Sequence, residues 1–107
     1  MVQQISVFDL KEKLDSKQNF ILVDCREDDE FNYCRIDGAV LIPISRFEEE
    51  VSHHLGQDDE IVIYCHHGMR SMQACLFLES LGYQNTKNVS GGIEAWSLHI
   101  DSKVLRY

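Results

Sequence analysis

Three short runs of consecutive apolar residues divide the chain, at Phe20–Val23, Val40–Ile44 and Ile61–Tyr64. Unbroken apolar runs of this length, rich in β-branched residues, are typical of strands buried on both faces of a parallel sheet. The segment Thr86–Val89 is predicted as one further short strand. The pattern therefore predicts at least four strands distributed over the whole chain.

Helical patterns separate these strands. Ser6 has the character of an N-cap, with the acidic Asp9 three positions on, and predicts a helix over Ser6–Lys17. Further helices are predicted at 28–33, 45–54, 71–81 and 91–96, the last with Trp96 in the core. Strands that alternate with helices indicate right-handed crossovers. We therefore predict an α/β fold in three layers, α/β/α, with a mostly parallel sheet.

Length and composition indicate one folded domain over residues 1–107. The chain has 107 residues, of which 44% are hydrophobic and 26% charged, with a single proline. That is enough for one hydrophobic core and too little for two ordinary domains. The formal charge of −8 argues against nucleic acid or an anionic membrane surface as a partner, because both select for an excess of Lys and Arg.

No stretch approaches the ~20 apolar residues needed to span a bilayer. The N-terminal residues also lack a basic start followed by a long apolar stretch. We therefore expect a cytoplasmic protein with no membrane association, although a targeting segment removed upstream would leave no trace in this sequence.

The four cysteines form no Cys-x-x-Cys pair, which disfavours both a disulfide framework and a structural zinc site. Adjacent histidines such as His66 and His67 rarely converge on one metal ion. The sequence therefore predicts no metal and no disulfide.

The stretch from Cys65 to Ser71 carries the strongest indication of chemistry. Cys65 directly follows an apolar strand and precedes a helical pattern, so backbone N–H groups and the positive end of a helix dipole converge on it. Such a setting, with Arg70 nearby, lowers the pKa of a thiol, and the thiolate is the nucleophilic form. We therefore predict that Cys65 is a nucleophile.

The loop after Cys65 is short, because only four residues separate it from Arg70. Gly68 permits backbone dihedrals that other residues avoid, so successive N–H groups can turn inward and bind an anion. Arg70 either donates to that anion or braces the loop. Asp24–Arg26 and Ser90–Gly92 follow other predicted strands, and parallel sheets bind ligands outside the carboxyl ends of their strands. These segments are expected to surround one crevice.

The pattern Cys65-x-x-Gly68-x-Arg70-Ser71 resembles the active-site loop of the rhodanese family of sulfurtransferases. The resemblance continues along most of the chain, in Asp24-x-Arg26-x-x-x-Glu30-Phe31, Ile36-x-Gly38-Ala39-x-x-Ile42-Pro43, Gly82-Tyr83 and Gly91-Gly92-x-x-Ala95-Trp96. It is closest to the single-domain members, because the fold occurs only once. The resemblance implies a rhodanese-like, five-stranded sheet.

The resemblance also implies a two-step sulfur relay that needs no cofactor. The Cys65 thiolate takes the outer sulfur of a donor such as thiosulfate or glutathione persulfide, becomes a persulfide, and passes that sulfur to cyanide or a thiol. A protein persulfide donor or a protein thiol acceptor fits the same scheme. The persulfide-binding loop comprises His66, His67, Gly68, Met69, Arg70 and Ser71, with Asp24 and Arg26 in support.

Two alternatives remain at this point. The resemblance extends to dual-specificity phosphatases, in which five residues separate cysteine from arginine, and a shorter loop leaves less room for phosphate or arsenate. Rhodanese-like domains also occur as inactive interaction modules, but these typically lack the cysteine that this chain keeps. His66 and His67 are mostly neutral at pH 7. We therefore expect modest affinity for the thiosulfate dianion.

The other cysteines are given mainly structural roles. Cys75 lies in an apolar helical pattern and is interpreted as a buried residue. Cys25 follows Asp24 at a strand end and is interpreted as passive, because successive residues point in opposite directions, with an approach to the crevice as the alternative. Cys34, near a helix end, is also interpreted as structural, with an exposed thiol that resolves a persulfide or links two chains as the alternative.

Overall fold

The computed structural model describes residues 2–107 and contains one parallel sheet. Its strands are β1 (Gln3–Ile5), β2 (Ile21–Asp24), β3 (Val40–Leu41), β4 (Ile61–Tyr64) and β5 (Thr86–Val89). They lie in the order β1-β5-β4-β2-β3, and each pairing of neighbours is parallel. The predicted α/β fold with a five-stranded sheet is confirmed, and its most apolar strand, β4, lies at the centre.

Helices cover both faces of the sheet. They are α1 (Val7–Asp15), α2 (Asp28–Tyr33), α3 (Phe47–His54), α4 (Met69–Ser80) and α5 (Gly92–His99), with a short 3-10 helix at Ile44–Arg46. Residues of α1 and α5 pack on one face, where Trp96 is buried as predicted. Residues of α3 and α4 pack on the other face, around Val51 and Leu78. The three predicted layers are thus present.

The edge strand β1, which was not predicted, and the bounds of β3 and α4 differ from the sequence prediction. β1 has no apolar pattern, because Gln3 and Gln4 are exposed at the edge of the sheet. β3 ends at Leu41, since Pro43 has no N–H to donate and starts the 3-10 helix instead. α4 begins at Met69, two residues before the predicted start.

The pairing of β2 with β4 positions the functional end of the sheet. Asp24 lies opposite Tyr64 in the parallel register, and the Cys25 N–H donates to the Tyr64 carbonyl at 3.1 Å. Cys25 and Cys65, the first residues after β2 and β4, therefore lie next to each other. Both side chains are buried in the apolar cluster on the α3 and α4 face.

Candidate active site

The Cys65 sulfur lies at the carboxyl end of β4, buried under the loop that leads to α4. The backbone N–H of Gly68 donates a hydrogen bond to Sγ at 3.1 Å. The Ser71 hydroxyl lies 3.3 Å from Sγ, and the Ser71 backbone N–H also donates to it. Gly68 is the N-cap of α4 and has a φ of 110°, a left-handed conformation that a side chain would strain. The loop thus turns hydrogen-bond donors toward one sulfur atom.

Cys25 provides a further donor from the neighbouring strand. A hydrogen bond from the Cys25 thiol is the largest influence holding the pKa of Cys65 well below its ordinary 9.0. The bonds from Ser71 and Gly68 act in the same direction, whereas burial opposes them. The bond to Cys65 and burial raise the pKa of Cys25 in turn. At neutral pH the pair therefore consists of a Cys65 thiolate and a Cys25 thiol.

The N-terminus of α5 fixes the start of the loop. The backbone N–H groups of Ile93 and Glu94 donate to the carbonyl oxygens of Cys65 and His66, at 2.9 and 3.1 Å. This approach needs Gly92, which has a φ of 58° and whose Cβ, if present, would overlap both carbonyl oxygens. The backbone on either side of the Cys65 sulfur is therefore held by two helix N-termini.

Arg70 braces the loop through Glu30 of α2. Its two terminal nitrogens bond both carboxylate oxygens of Glu30, at 2.7 and 2.9 Å. The bond from Arg70 lowers the pKa of Glu30 to about 2, and Glu30 raises the pKa of Arg70. Of the two roles considered for Arg70, the structure shows the bracing one.

The two histidines of the loop form an aromatic stack with Tyr107. The His66 ring lies 4.0 Å from that of His67 and 3.9 Å from that of Tyr107, measured between centroids. Burial and the neighbouring His67 lower the pKa of His66. His66 is therefore neutral at pH 7. Met69, the last of the predicted loop residues before Arg70, is mostly exposed.

Asp24 and Arg26 form a fully buried ion pair beside the site. Nη2 of Arg26 lies 2.6 Å from Oδ2 of Asp24, and Nε donates to Oδ1 at 3.0 Å. Arg26 also donates to the Cys34 carbonyl oxygen at 2.6 Å and to the Tyr107 hydroxyl at 3.0 Å. The pair ties the end of β2 to the segment after α2 and to the C-terminal residue.

Comparison with known families adds to this geometry. The model of the rhodanese-like domain family matches residues 6–99 of the chain. The chain belongs to the rhodanese-like domain family.

Several of its relatives in this family carry sulfurtransferase names. The chain is 39% identical over 95 residues to the putative sulfurtransferase YtwF of Bacillus subtilis, covering 89% of this chain and 90% of that protein. It is 35% identical over 99 residues to a sulfurtransferase of Allochromatium vinosum, covering 92% of each. The solved structure of the human single-domain sulfurtransferase TSTD1 superposes with a TM-score of 0.80 at 28% identity, covering 90% of this chain and 96% of that one. These similarities support sulfur transfer.

The sequence did not reveal the role of Asn88 of β5, whose side chain contacts both Ser71 and Gly68 in the loop after Cys65. Its Oδ1 lies 2.5 Å from the Ser71 hydroxyl, and its Nδ2 donates to the Gly68 carbonyl oxygen at 3.1 Å. The Ser71 hydroxyl thus has one proton for two acceptors, Asn88 and the Cys65 sulfur. An amide side chain within the predicted strand Thr86–Val89 was the available signal, because a strand inside a sheet buries its side chains and buried amides need hydrogen-bond partners.

The four cysteines of this rhodanese-like chain have different surroundings. Cys75 is buried as predicted, in the same cluster as Cys65. Cys34 is buried in the cluster on the opposite face of the sheet, so the exposed position considered for it is wrong. Cys25 lies in the same cluster as Cys65 and is the largest influence lowering the pKa of Cys65, which the passive interpretation did not anticipate.

Metal binding and membrane spanning find no support in residues 2–107, the part of the chain that the structure describes. No three His, Cys, Asp or Glu side chains there are grouped so as to hold a metal ion. None of the helices in that range is both long and apolar enough to cross a membrane.

Proposed function

We propose that this rhodanese-like domain is a sulfurtransferase whose Cys65 cycles between thiolate and persulfide. With thiosulfate as donor, the thiolate attacks the outer sulfur, the bond between the two donor sulfurs breaks, and sulfite leaves with the electron pair. With cyanide as acceptor, the carbon attacks the terminal sulfur and leaves as thiocyanate, which regenerates the thiolate. A thiol acceptor takes the same sulfur as its own persulfide. Splitting the transfer into two displacements is ordinary covalent catalysis.

The convergence of donors on the Cys65 sulfur carries this proposal. Hydrogen bonds from Gly68, Ser71 and Cys25 stabilise a negative charge on the sulfur at neutral pH. A terminal persulfide sulfur is also negatively charged, and the loop amides are suited to stabilise it as an oxyanion hole stabilises oxygen. The proposed persulfide-binding loop is residues 66–71, with Asp24 and Arg26 as buried supports of its walls.

The charges around the loop favour a persulfide donor over thiosulfate. Glu30 neutralises Arg70, and burial keeps His66 neutral, so little fixed positive charge faces a dianion. The net charge of −8 adds an unfavourable field at long range. We therefore propose glutathione persulfide or a protein persulfide, whose reacting end carries a single charge rather than two, as the better donor, and a thiol as the acceptor. A single domain over residues 1–107 and a cytoplasmic location stay predictions.

Intact mass after incubation with each donor tests the proposal. Wild-type protein is expected to gain one sulfur atom from glutathione persulfide faster than from thiosulfate, and to lose it to cyanide. Cys65→Ala should gain none, whereas Cys75→Ala, which removes another buried cysteine of the same cluster, should load normally. The absence of both added sulfur and thiocyanate formation above the Cys65→Ala background, with every donor, would favour an interaction module. Turnover of an aryl phosphate that disappears in Cys65→Ser would favour phosphatase chemistry.

A further inference from the structure

Cys25 and Cys65 form a buried pair of thiol side chains that the sulfur relay alone does not require. They follow directly after Asp24 and Tyr64, which lie opposite each other in the parallel register of β2 and β4. Neighbouring strands are about 4.8 Å apart, and disulfides span Cα separations of about 4.4–6.8 Å. Both side chains enter the same apolar cluster, and the Cys25 thiol is the largest influence lowering the pKa of Cys65.

We propose that Cys25 is a resolving thiol, which converts the Cys65 persulfide into a Cys25–Cys65 disulfide and releases hydrogen sulfide. The inference rests on the proposed function, because it needs the persulfide. It adds a second activity, in which sulfane sulfur is reduced to sulfide when no acceptor takes it.

The step balances without an external oxidant. The Cys25 sulfur gives up its proton and attacks Sγ of Cys65. The bond between Sγ and the outer sulfur breaks, and the outer sulfur keeps the electron pair, takes up the proton given up by Cys25 and leaves as hydrosulfide. Two cysteine sulfurs are oxidised to a disulfide, and one sulfane sulfur is reduced to sulfide. A dithiol reductant then reopens the disulfide and restores the thiolate.

The positions of the donors favour attack on Sγ from the strand side. The Gly68 N–H and Ser71 belong to the loop and α4, so they hold the sulfur from the side where a donor's sulfur would be added. Cys25 reaches Sγ from the neighbouring strand β2. In thiol–disulfide exchange a thiolate attacks one sulfur of the bond and the other sulfur leaves, so the outcome depends on which sulfur is accessible to the attacking thiol. We therefore assign the inner sulfur to Cys25 and leave the outer one to acceptors.

The charge on the Cys65 sulfur determines when Cys25 can lose its proton and react. The charged Cys65 sulfur is the first cause of the raised pKa of Cys25, through their hydrogen bond, followed by burial. Once Cys65 is a persulfide, the negative charge moves to the outer sulfur and this influence weakens. Cys25 thus becomes easier to deprotonate only after Cys65 has been loaded.

The other cysteines do not have this geometry. Cys34 packs on the opposite face of the sheet, beside Leu22 and Val62. Cys75 shares the cluster with Cys65, but burial, not a hydrogen bond to Cys65, is the first cause of its raised pKa. Cys75→Ala is therefore a matched control, since it removes a buried thiol of the same cluster.

The test compares wild type, Cys25→Ser and Cys75→Ala after loading with thiosulfate and removal of excess donor. Serine at position 25 keeps a hydrogen-bond donor but cannot form a disulfide. Wild type and Cys75→Ala should each release close to one equivalent of sulfide and lose two hydrogens in mass, with Cys25 and Cys65 linked in the peptide map. Cys25→Ser should keep its added sulfur and release no sulfide above background.

The outcomes separate this inference from the proposed function. A wild-type protein that loads sulfur and keeps it as long as Cys25→Ser overturns the resolving role and leaves the sulfurtransferase standing. If no variant loads sulfur, the proposed function fails. Treatment with hydrogen peroxide then tests separately whether Cys25 can form a disulfide with an oxidised Cys65. Peroxide converts a thiolate to a sulfenic acid, which Cys25 would displace with loss of water. A reducible Cys25–Cys65 disulfide then supports the resolving role, and a gain of two oxygens on Cys65 overturns it.

Discussion

Arg70 and Glu30 form a two-pronged ion pair across the mouth of the rhodanese loop, with N–O distances of 2.7 and 2.9 Å. The pair joins the first turn of α4 to α2, forty positions earlier in the chain. A bidentate arginine is held in both position and orientation. The loop therefore gains rigidity from Arg70, but Glu30 offsets most of the positive charge that an incoming anion would otherwise meet.

Removing the charge of Glu30 should improve binding of thiosulfate. Glu30→Gln keeps an oxygen acceptor and leaves Arg70 without its counter-charge, so the KM for thiosulfate should fall by about two- to fivefold, equivalent to roughly 0.4–1 kcal/mol. The decrease should shrink at high salt. Glu50→Gln, which makes the same change in the exposed Arg46–Glu50 pair, controls for net charge. Equal KM values in the two variants would contradict this account of the pocket.

Alkylation of Cys65 should depend little on pH around neutrality. The hydrogen bonds from Cys25, Ser71 and Gly68 hold its pKa well below 9.0, so the thiolate is already formed at neutral pH. Its rate with iodoacetamide, a neutral reagent, should therefore stay nearly flat between about pH 6 and pH 9 and decrease only at lower pH. The urea-unfolded chain supplies the comparison, with a rate that rises steeply toward pH 9. A similar steep rise in the folded protein would refute a stabilised thiolate.

Loss of the Cys25 thiol should raise the pKa of Cys65. A hydrogen bond to a charged group contributes roughly 1.5–3 kcal/mol, so Cys25→Ala should raise this pKa by about one to two pH units. Cys25→Ser keeps a donor and should raise it less. The ultraviolet absorbance of the thiolate, titrated against Cys65→Ala, measures the change. Cys75→Ala should behave as wild type, and an equal effect of Cys75→Ala and Cys25→Ala would show that the specific bond is unimportant.

The sequence predicted those features that depend on residues close together in the chain. The Ser6 N-cap is an example, since its hydroxyl accepts from the Asp9 N–H at 3.0 Å and Asp9 accepts from the Ser6 N–H at 3.1 Å. The position of Cys65 at a strand end is another, because the strand and helix patterns on either side determine it. Both follow from local periodicity and capping chemistry.

The contacts between distant segments could not be predicted in the same way. Alternation of side chains along β2 says only how Cys25 points relative to its own neighbours, and it does not reveal the register between β2 and β4. That register makes Cys25 point in the same direction as Cys65. The Arg70–Glu30 pair likewise depends on how α2 packs beside α4. The edge strand β1 was missed because its polar residues carry no periodic signal.

Gly92 should be the least replaceable glycine of the site. Gly92→Ala places a methyl group against the carbonyl oxygens of Cys65 and His66, in addition to a left-handed backbone that costs roughly 1–2 kcal/mol. Gly38→Ala isolates the backbone contribution, because Gly38 also has a positive φ but a Cβ there would meet no atom within 4 Å. Urea unfolding should show a loss for Gly92→Ala about 1–3 kcal/mol greater than for Gly38→Ala. Equal losses of stability in the two variants would mean that the loop after Cys65 moves away from the added methyl group without losing stability.

The buried Asp24–Arg26 pair should be costly to break and less costly to remove. Asp24→Asn keeps the side chain's shape but leaves the Arg26 guanidinium buried without a counter-charge, which typically costs about 3–5 kcal/mol in the free energy of unfolding. Arg26→Met likewise leaves the Asp24 carboxylate buried without a counter-charge. The double variant buries neither charge, although the Cys34 carbonyl oxygen and the Tyr107 hydroxyl still lose a donor.

Urea unfolding of both single variants and the double variant forms a complete cycle. The double variant should be more stable than at least one of the single variants, because the uncompensated charge is then absent. Strictly additive losses would contradict a coupled pair and would mean that water reaches Arg26 when Asp24 is neutral. Since Arg26 also donates to Tyr107, whose ring stacks on His66, the single variants should in addition slow the sulfur loading of Cys65.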